Sequence, residues 1–111
     1  MGIMSIKKKY DIFGVGAALV DTEILVTDDF LAQHDISKGL MTLVDEERQH
    51  YLIKALNSHA VHKKKACGGS ACNSIVAASS FGSDTFYAGK VASDKEGGFF
   101  VKDLNAAGVA F

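Results

Sequence analysis

Apolar residues follow two kinds of pattern along this chain: short dense runs and stretches with helical spacing. Residues 10–20, YDIFGVGAALV, form an almost continuous apolar run that contains β-branched and aromatic residues. Such a run predicts a strand buried on both faces, as in a parallel sheet. Shorter runs predict extended segments over residues 22–26, 40–44, 59–67, 84–91 and 109–111.

Two helices are predicted in the first half of the chain, each with a capping side chain at its start. Thr27 precedes a short helix over residues 28–34, whose first turn carries two aspartates. Asp45 precedes a longer helix over residues 46–57. The apolar face of the longer helix is formed by Tyr51, Leu52, Ala55 and Leu56.

Two more helices are predicted in the second half. Residues 70–81 are mostly small or apolar and suit a helix, and Gly82 suits its C-terminal end. Ser93 and Glu96 have the spacing of a capping box, which predicts the start of the last helix. Gly108 would end that helix. Its apolar face is formed by Phe100, Leu104 and Ala107.

Strands and helices alternate, which predicts an α/β fold with a mostly parallel sheet flanked by helices. A parallel sheet needs both faces covered, and the helices predicted here can supply only part of that cover. The last strand is barely begun at Phe111. We therefore expect residues 1–111 to be the N-terminal portion of a larger domain.

Composition narrows the class of protein. The 111 residues are 48% apolar and 23% charged with a net charge of −1, which is ordinary for a soluble globular protein. This charge predicts no broad surface for nucleic acid or an anionic membrane. No apolar stretch has the length of a membrane span, and no secretory signal is visible. Cys67 and Cys72 are therefore expected to be reduced thiols in the cytoplasm.

Residues 63–74, KKKACGGSACNS, place two glycines where a strand would lead into a helix. Ligands of α/β proteins bind at such strand ends, where glycine lets them approach the main chain and the helix start offers unpaired N–H groups. Asp21, at another strand end, would add an acceptor, and the Asn73 amide a donor and an acceptor. Together these groups suit a polyol. A tight turn with purely structural glycines is the alternative.

Other kinds of site fit the residues less well. GGSACNS lacks the Gly-Lys-Ser/Thr of a P-loop, and GVGAAL at residues 14–19 lacks the third small residue of a dinucleotide fingerprint. No metal site is expected either. The histidines and cysteines nearest to one another match no familiar zinc spacing, and the lysines between them would repel a cation. These residues are His59, His62, Cys67 and Cys72.

Four pieces of the sequence resemble the PfkB, or ribokinase-like, carbohydrate kinases, and within them the adenosine-kinase-like branch. The pieces are GVGAALVD, DDFL, CGGSACNSIVAASSFG and FYAGKVASDKEGGFFVKDLNAAGV. Their order and spacing resemble that family from about residue 10 to residue 111. The resemblance implies a ribokinase-like α/β domain with a small β lid, formed by residues 22–27, 40–45 and 60–67. It also implies transfer of the γ-phosphoryl group of ATP to a primary hydroxyl of a carbohydrate or nucleoside.

The resemblance also implies roles for individual residues. Asp21 would hold the sugar hydroxyls, Gly69 and Asn73 would complete that contact, and Gly68 and Ser70 would line the turn. The family's catalytic aspartate lies in a Gly-Ala-Gly-Asp motif, which this chain lacks. The catalytic aspartate, and most of the binding of ATP and Mg²⁺, are therefore expected in a missing C-terminal part. The 111-residue chain alone is expected to be inactive.

Several alternatives stay open at this level. The adenosine-kinase branch usually has Asn-Pro where this chain has Ala17 and Ala18, so the acceptor is specified only as a sugar or a nucleoside. The chain could instead be a non-catalytic binding module or one half of a two-chain assembly. Pairing of two lids in a homodimer is also compatible with the sequence, because exposed strand edges can pair.

Overall fold

The computed structural model of the protein describes residues 8–59 and 62–111, so expectations for residues 1–7 and 60–61 lie outside the described residues. Its strands are β1 (Ile12–Val15), β2 (Leu19–Ile24), β3 (Lys63–Gly68) and β4 (Thr85–Ala88). Its helices are α1 (Asp28–Gln33), α2 (Glu46–Asn57), α3 (Ser70–Ser80) and α4 (Lys95–Ala106). The chain up to Asp21 and Lys65–Phe111 form a first compact unit, and Thr22–Lys64 forms a second.

The sheet of the first unit is parallel, as the sequence predicts. β1 and β4 pair over their full length, from Ile12 opposite Thr85 to Val15 opposite Ala88. Ala110 extends this sheet through a parallel bridge to β4. The predicted start of a further strand after the last helix is therefore confirmed.

One face of this sheet packs against α3 and α4 to form the core of the first unit. The buried side chains of this core are Cys72, Ile75, Tyr87, Phe100, Leu104 and Val109. Two of them, Phe100 and Leu104, belong to the apolar face predicted for the last helix. Burial of a large apolar side chain contributes about 1.5–3 kcal/mol, so this face provides much of the stability of the unit.

The opposite face of the sheet is largely uncovered by the described chain. Phe13 and Val15 are 60% and 71% exposed. The Phe13 ring stacks on the Phe86 ring with centroids 4.9 Å apart, and Tyr10 lies 5.2 Å from Phe86. The expectation of a strand buried on both faces is therefore wrong for the described chain, because α3 and α4 pack on the same face.

The apolar run over residues 10–20 belongs to two strands rather than one. β1 ends at Val15, whereas β2 begins at Leu19 and pairs with β3 in a separate sheet. Both strands are rich in apolar residues, so continuous apolarity could not indicate where the chain leaves one sheet for the other.

The second unit contains α1 and α2, which begin where the sequence predicts. Thr27 Oγ1 accepts a hydrogen bond from the Phe30 N–H at 3.2 Å, and Asp45 Oδ1 accepts one from the Arg48 N–H at 2.7 Å. Phe30 is buried, and its ring centroid lies 4.3 Å from that of His34. Both predicted caps are therefore confirmed.

Two other local predictions are wrong. Residues 40–44 form no strand, and their leucine and methionine side chains are between 71% and 88% exposed. An apolar run becomes a strand only where a neighbouring strand accepts and donates its hydrogen bonds. In addition, Asp94 rather than Ser93 caps α4, because Asp94 Oδ1 accepts the Gly97 N–H at 2.8 Å.

Candidate functional site

The two glycines join β3 directly to α3, as the sequence predicts. Gly68 ends the strand, Gly69 is the N-cap residue, and Ser70 opens the helix. Gly69 has a φ of +98°, a conformation that residues with a Cβ rarely adopt. Its carbonyl accepts the Asn73 N–H at 2.8 Å. Because Gly69 has no side chain, the first N–H groups of α3 have no side-chain cap.

Asp21 lies against this turn. It is the third of the six residues of β2, so the expectation that it ends a strand is wrong, because the apolar run before it belongs to two strands. A Cβ built on Gly68 would overlap the Asp21 carboxylate and lie 2.5 Å from its Cγ. Gly68 is buried, whereas Asp21 is exposed. The carboxylate can therefore approach the main chain this closely only because residue 68 is glycine, and its exposed side remains open to a ligand.

A third segment, between β1 and β2, also reaches the turn. A Cβ built on Gly69 would lie 3.4 Å from the Ala17 carbonyl oxygen and 3.5 Å from Leu19 Cδ1. Two stretches that are far apart in the sequence, residues 16–21 and residues 68–70, thus meet at the two glycines. We call this assembly the glycine-turn site; it consists of residues 16–18, Asp21 and residues 68–70.

Ser70 and Asn73 lie on the exposed face of α3. Cys72 and Ile75 are buried on its other side, and residues three positions apart share a helix face. Asn73 is therefore one turn beyond the glycine-turn site, on the solvent side of the helix. Its binding role, like the roles of the site residues, stays a prediction.

Asp103 of α4 holds the end of β3, a role that sequence reasoning missed. Its Oδ2 accepts the Cys67 N–H at 2.8 Å, one residue before Gly68. The same two elements are joined by Lys65, whose Nζ lies 2.6 Å from Glu96 Oε1. The partners are 36 and 31 residues apart, so no local pattern could have indicated either pair. α4 therefore helps to place the glycine turn.

Both cysteines beside the turn are held as neutral thiols. Burial, together with hydrogen bonds to Asp103 and Cys72, raises the pKa of Cys67 to about 12. Burial also raises the pKa of Cys72, which is fully buried in the core. With a pKa of about 12, the Cys67 thiol is ionised in only about one molecule in ten thousand at pH 8.

Cys67 is expected to resist alkylation at pH 8 and to react at least about a hundredfold faster in the unfolded chain, since the thiolate is the reactive form. Asp103→Asn removes a negative charge but keeps an acceptor for the Cys67 N–H, so it should lower the pKa of Cys67 and speed alkylation. Timed labelling with iodoacetamide and mass spectrometry of each cysteine measures these rates. Equal rates in native and unfolded protein would contradict the protected thiol.

The described chain contains neither a clustered set of metal ligands nor a membrane span. Within residues 8–59 and 62–111, no three His, Cys, Asp or Glu side chains are grouped so that they could hold a metal ion. In these same ranges, every helix is too short or too polar to cross a membrane.

Sequence comparison identifies the family to which this fold belongs. The sequence profile described as pfkB family carbohydrate kinase matches residues 36–111. The chain belongs to the pfkB family of carbohydrate kinases. The resemblance predicted from four sequence pieces is therefore confirmed. No match was found among curated protein sequences.

Solved structures of kinases share the ribokinase-like fold with this pfkB family chain. A probable sugar kinase from Rhizobium etli CFN 42 is 35% identical with a TM-score of 0.73, and the alignment covers 94% of this chain and 30% of that kinase. Adenosine kinase from Sinorhizobium meliloti is 38% identical with a TM-score of 0.73, over 94% of this chain and 31% of that enzyme. Adenosine kinase from Trypanosoma brucei brucei is 22% identical with a TM-score of 0.75, and the alignment covers 94% of this chain and 32% of that enzyme. At this identity the match shows the fold alone. The chain thus spans about a third of the length of these kinases.

Proposed function

We propose that this chain is the acceptor-binding N-terminal part of an ATP-dependent kinase that phosphorylates a primary hydroxyl of a carbohydrate or nucleoside. The observation that carries the proposal is the Asp21 carboxylate, which lies against Gly68 at the start of α3. Membership of the pfkB family supports a kinase, and 38% identity to an adenosine kinase supports a nucleoside as acceptor.

The glycine-turn site has the groups that a vicinal diol requires. The Asp21 carboxylate can accept the protons of two neighbouring hydroxyls. The uncapped N–H groups at the start of α3 can donate to hydroxyl oxygens, and the Asn73 amide can donate or accept. Gly68 and Gly69 leave the main chain accessible to the sugar. These groups bind and orient the acceptor rather than transfer its proton.

Phosphoryl transfer requires groups that this chain does not supply. The Gly-Ala-Gly-Asp motif is absent from its 111 residues, and no carboxylates are grouped for Mg²⁺ in the described ranges. ATP and Mg²⁺ would therefore bind mainly to the C-terminal part of the same kinase, and no catalytic step is assigned to residues of this chain. The two free cysteines fit a cytoplasmic enzyme. Pairing of two lids in a homodimer stays a prediction.

One face of the parallel sheet is largely uncovered by the described residues, which supports the proposal that a further part of the kinase packs here. Phe13 and Val15 are mostly exposed, and the stacked Phe13 and Phe86 rings extend this apolar surface. Contiguous exposed apolar surface of this kind marks a site for another protein segment. A C-terminal part of the kinase would supply the cover that a parallel sheet needs.

Asp21→Ala is expected to weaken acceptor binding at least about a hundredfold, because each hydrogen bond to a charged acceptor contributes about 1.5–3 kcal/mol. Isothermal titration calorimetry of the 111-residue chain with adenosine and with ribose measures the affinity. Glu23→Ala is the matched control, because Glu23 is an exposed carboxylate two residues further along β2. Unchanged affinity in Asp21→Ala would rule out the role assigned to this carboxylate.

A chimera tests the kinase half of the proposal. In the Sinorhizobium meliloti adenosine kinase, the matching part, 31% of its length, is replaced by this chain. The chimera should phosphorylate an acceptor with ATP, and Asp21→Ala should remove that activity. Phosphorylation by the 111-residue chain alone would contradict the assignment of catalysis to a further part.

A non-catalytic sugar- or nucleoside-binding module, or one half of a two-chain assembly, is the second candidate. It is favoured by the combination of candidate binding residues with the absence of the Gly-Ala-Gly-Asp motif. A chimera that binds adenosine or ribose but transfers no phosphoryl group would favour this candidate over the first.

A further inference from the structure

Tyr87 of β4 is fully buried beside the glycine-turn site, in space that three glycines leave open. A Cβ on Gly16 would lie 2.6 Å from its hydroxyl oxygen, and one on Gly14 would lie 3.2 Å from its Cδ2. A Cβ on Gly89 would lie 3.3 Å from its Cε1. The GVG sequence at residues 14–16, which spans the end of β1 and the first loop residue and begins like a dinucleotide fingerprint, therefore makes room for a tyrosine ring.

The Tyr87 hydroxyl makes one long-range hydrogen bond to the loop between β1 and β2. It donates to the Ala17 carbonyl oxygen at 2.7 Å, across 70 residues of sequence. The rest of the ring is in the apolar core, with the Phe100 centroid 6.2 Å away. Burial raises the pKa of Tyr87, so the hydroxyl stays protonated and remains a donor at neutral pH.

The Ala17 carbonyl lies between this hydroxyl and the glycine turn. Its oxygen accepts a hydrogen bond from the Tyr87 hydroxyl and is also 3.4 Å from the position of a Cβ on Gly69. The preceding residue is anchored to β4, because the Gly16 N–H donates to a β4 carbonyl at 3.2 Å. Both anchors of this loop therefore come from the strand that carries Tyr87.

We propose that Tyr87 is a positioning residue for acceptor binding: its hydroxyl holds residues 16–18 against the glycine turn and so sets the opening beside Gly69. This inference rests on the proposed function, since it concerns the same site. It assigns part of the acceptor affinity to a residue that lies in the core and does not touch the acceptor.

Removal of the hydroxyl separates this role from simple core filling. Tyr87→Phe keeps the ring in the glycine-lined space and removes a single oxygen atom. If the ring only fills the core, the variant loses a few degrees of melting temperature and the site is unchanged. If the hydroxyl positions the loop, the Ala17 carbonyl loses its hydrogen-bond donor and residues 16–18 shift. The environment of the Gly69 main chain then changes as well.

The test compares Tyr87→Phe with Thr85→Val in the 111-residue chain. Thr85 is buried two residues earlier on β4, and its hydroxyl has no partner among the residues that the structure describes. Thr85→Val therefore removes a buried hydroxyl without changing a contact of the site. Both variants are titrated with adenosine and ribose by calorimetry, and the Gly69 amide resonance is recorded by NMR.

Tyr87→Phe is expected to weaken binding about five- to tenfold, the range that loss of one hydrogen bond produces. It should also shift the Gly69 amide resonance, whereas Thr85→Val should do neither. Unchanged affinity or an unchanged Gly69 resonance in Tyr87→Phe would overturn the positioning role and leave the proposed function intact. If the wild-type chain binds neither ligand, adenosine and ribose are excluded as its acceptors, and the Gly69 resonance alone decides whether Tyr87 positions the turn.

Discussion

Gly68→Ala is expected to abolish measurable acceptor binding and to lower the free energy of unfolding by about 1–3 kcal/mol, the usual effect of an extra methyl in a packed site. The methyl would overlap the Asp21 carboxylate, which lies directly against Gly68. Gly68 is buried and Asp21 is exposed, so the carboxylate rather than the strand would move. Once displaced from the start of α3, the carboxylate could no longer bind the acceptor together with the helix N–H groups.

A double-mutant cycle tests whether the effect of Gly68→Ala comes from overlap of its methyl with the Asp21 carboxylate. Gly68→Ala should destabilise the chain less in the Asp21→Ala background, because no carboxylate then occupies the space. Gly98→Ala in α4 is the control substitution. Apart from its chain neighbours and the nearby backbone of its own helix, no atom lies within 4 Å of a Cβ built on Gly98. Strictly additive effects of Gly68→Ala and Asp21→Ala on the free energy of unfolding would show that the two residues do not touch.

Gly97→Ala is expected to destabilise the first unit by about 2–4 kcal/mol, in the upper range of single substitutions. Gly97 is buried in the first turn of α4, and a Cβ there would overlap the carbonyl oxygen of Ala92 and lie 3.1 Å from its carbon. Main-chain atoms cannot rotate away as a flexible side chain can, so the helix would have to shift. α4 carries Phe100 and Leu104, and its displacement would loosen the core.

Gly98→Ala, one residue further on, is expected to stabilise the same helix by up to about 1 kcal/mol, because alanine is a better helix former than glycine. Urea unfolding followed by circular dichroism gives the free energy of both variants. Because the substitutions are identical and adjacent, their difference isolates the contact with Ala92. A Gly97→Ala chain as stable as Gly98→Ala would mean that α4 does not approach Ala92 this closely.

Helix starts were predictable from the sequence because their hydrogen bonds are local. Thr27 and Asp45 each cap a helix through an N–H three residues ahead, so the pattern that indicates the cap also contains its partner. Ser93 and Asp94 are both capping residue types, and the backbone conformation decides which of the two side chains reaches the Gly97 N–H; here it is Asp94. Local patterns therefore locate a helix start to within about a residue.

Strands were less predictable because their hydrogen bonds come from elsewhere in the chain. Residues 40–44 have the composition of a strand but no strand pairs with them in the described ranges, and they remain irregular. Residues 10–20 have the composition of one strand but contribute to two sheets. Composition indicates that a segment can be extended, whereas pairing decides whether and with which neighbour it forms a sheet.

The residues of the candidate site likewise fall into those that the local sequence could predict and those that it could not. The Gly68–Gly69 turn could be predicted because a tight connection from a strand to a helix favours glycine, and the sequence has two adjacent glycines there. The structure gives Gly69 the positive φ that such a connection requires. Asp21 could be singled out by its charge directly after an apolar run and by the family resemblance, although it lies inside β2 and not at a strand end. Tyr87 and Asp103 could not, because both act through hydrogen bonds to backbone groups 70 and 36 residues away, and such bonds put no constraint on neighbouring residues.

By itself, the sequence determined the α/β class, the pfkB family, the capped helices and the chemistry available at the glycine turn, since each depends on residue types and short spacings. Only the tertiary structure decided that Asp21 lies against Gly68, that residues 8–59 and 62–111 leave one face of the sheet largely uncovered, and that Tyr87 reaches the Ala17 carbonyl. These features depend on distances between segments that are remote in sequence, and chain folding alone sets those distances.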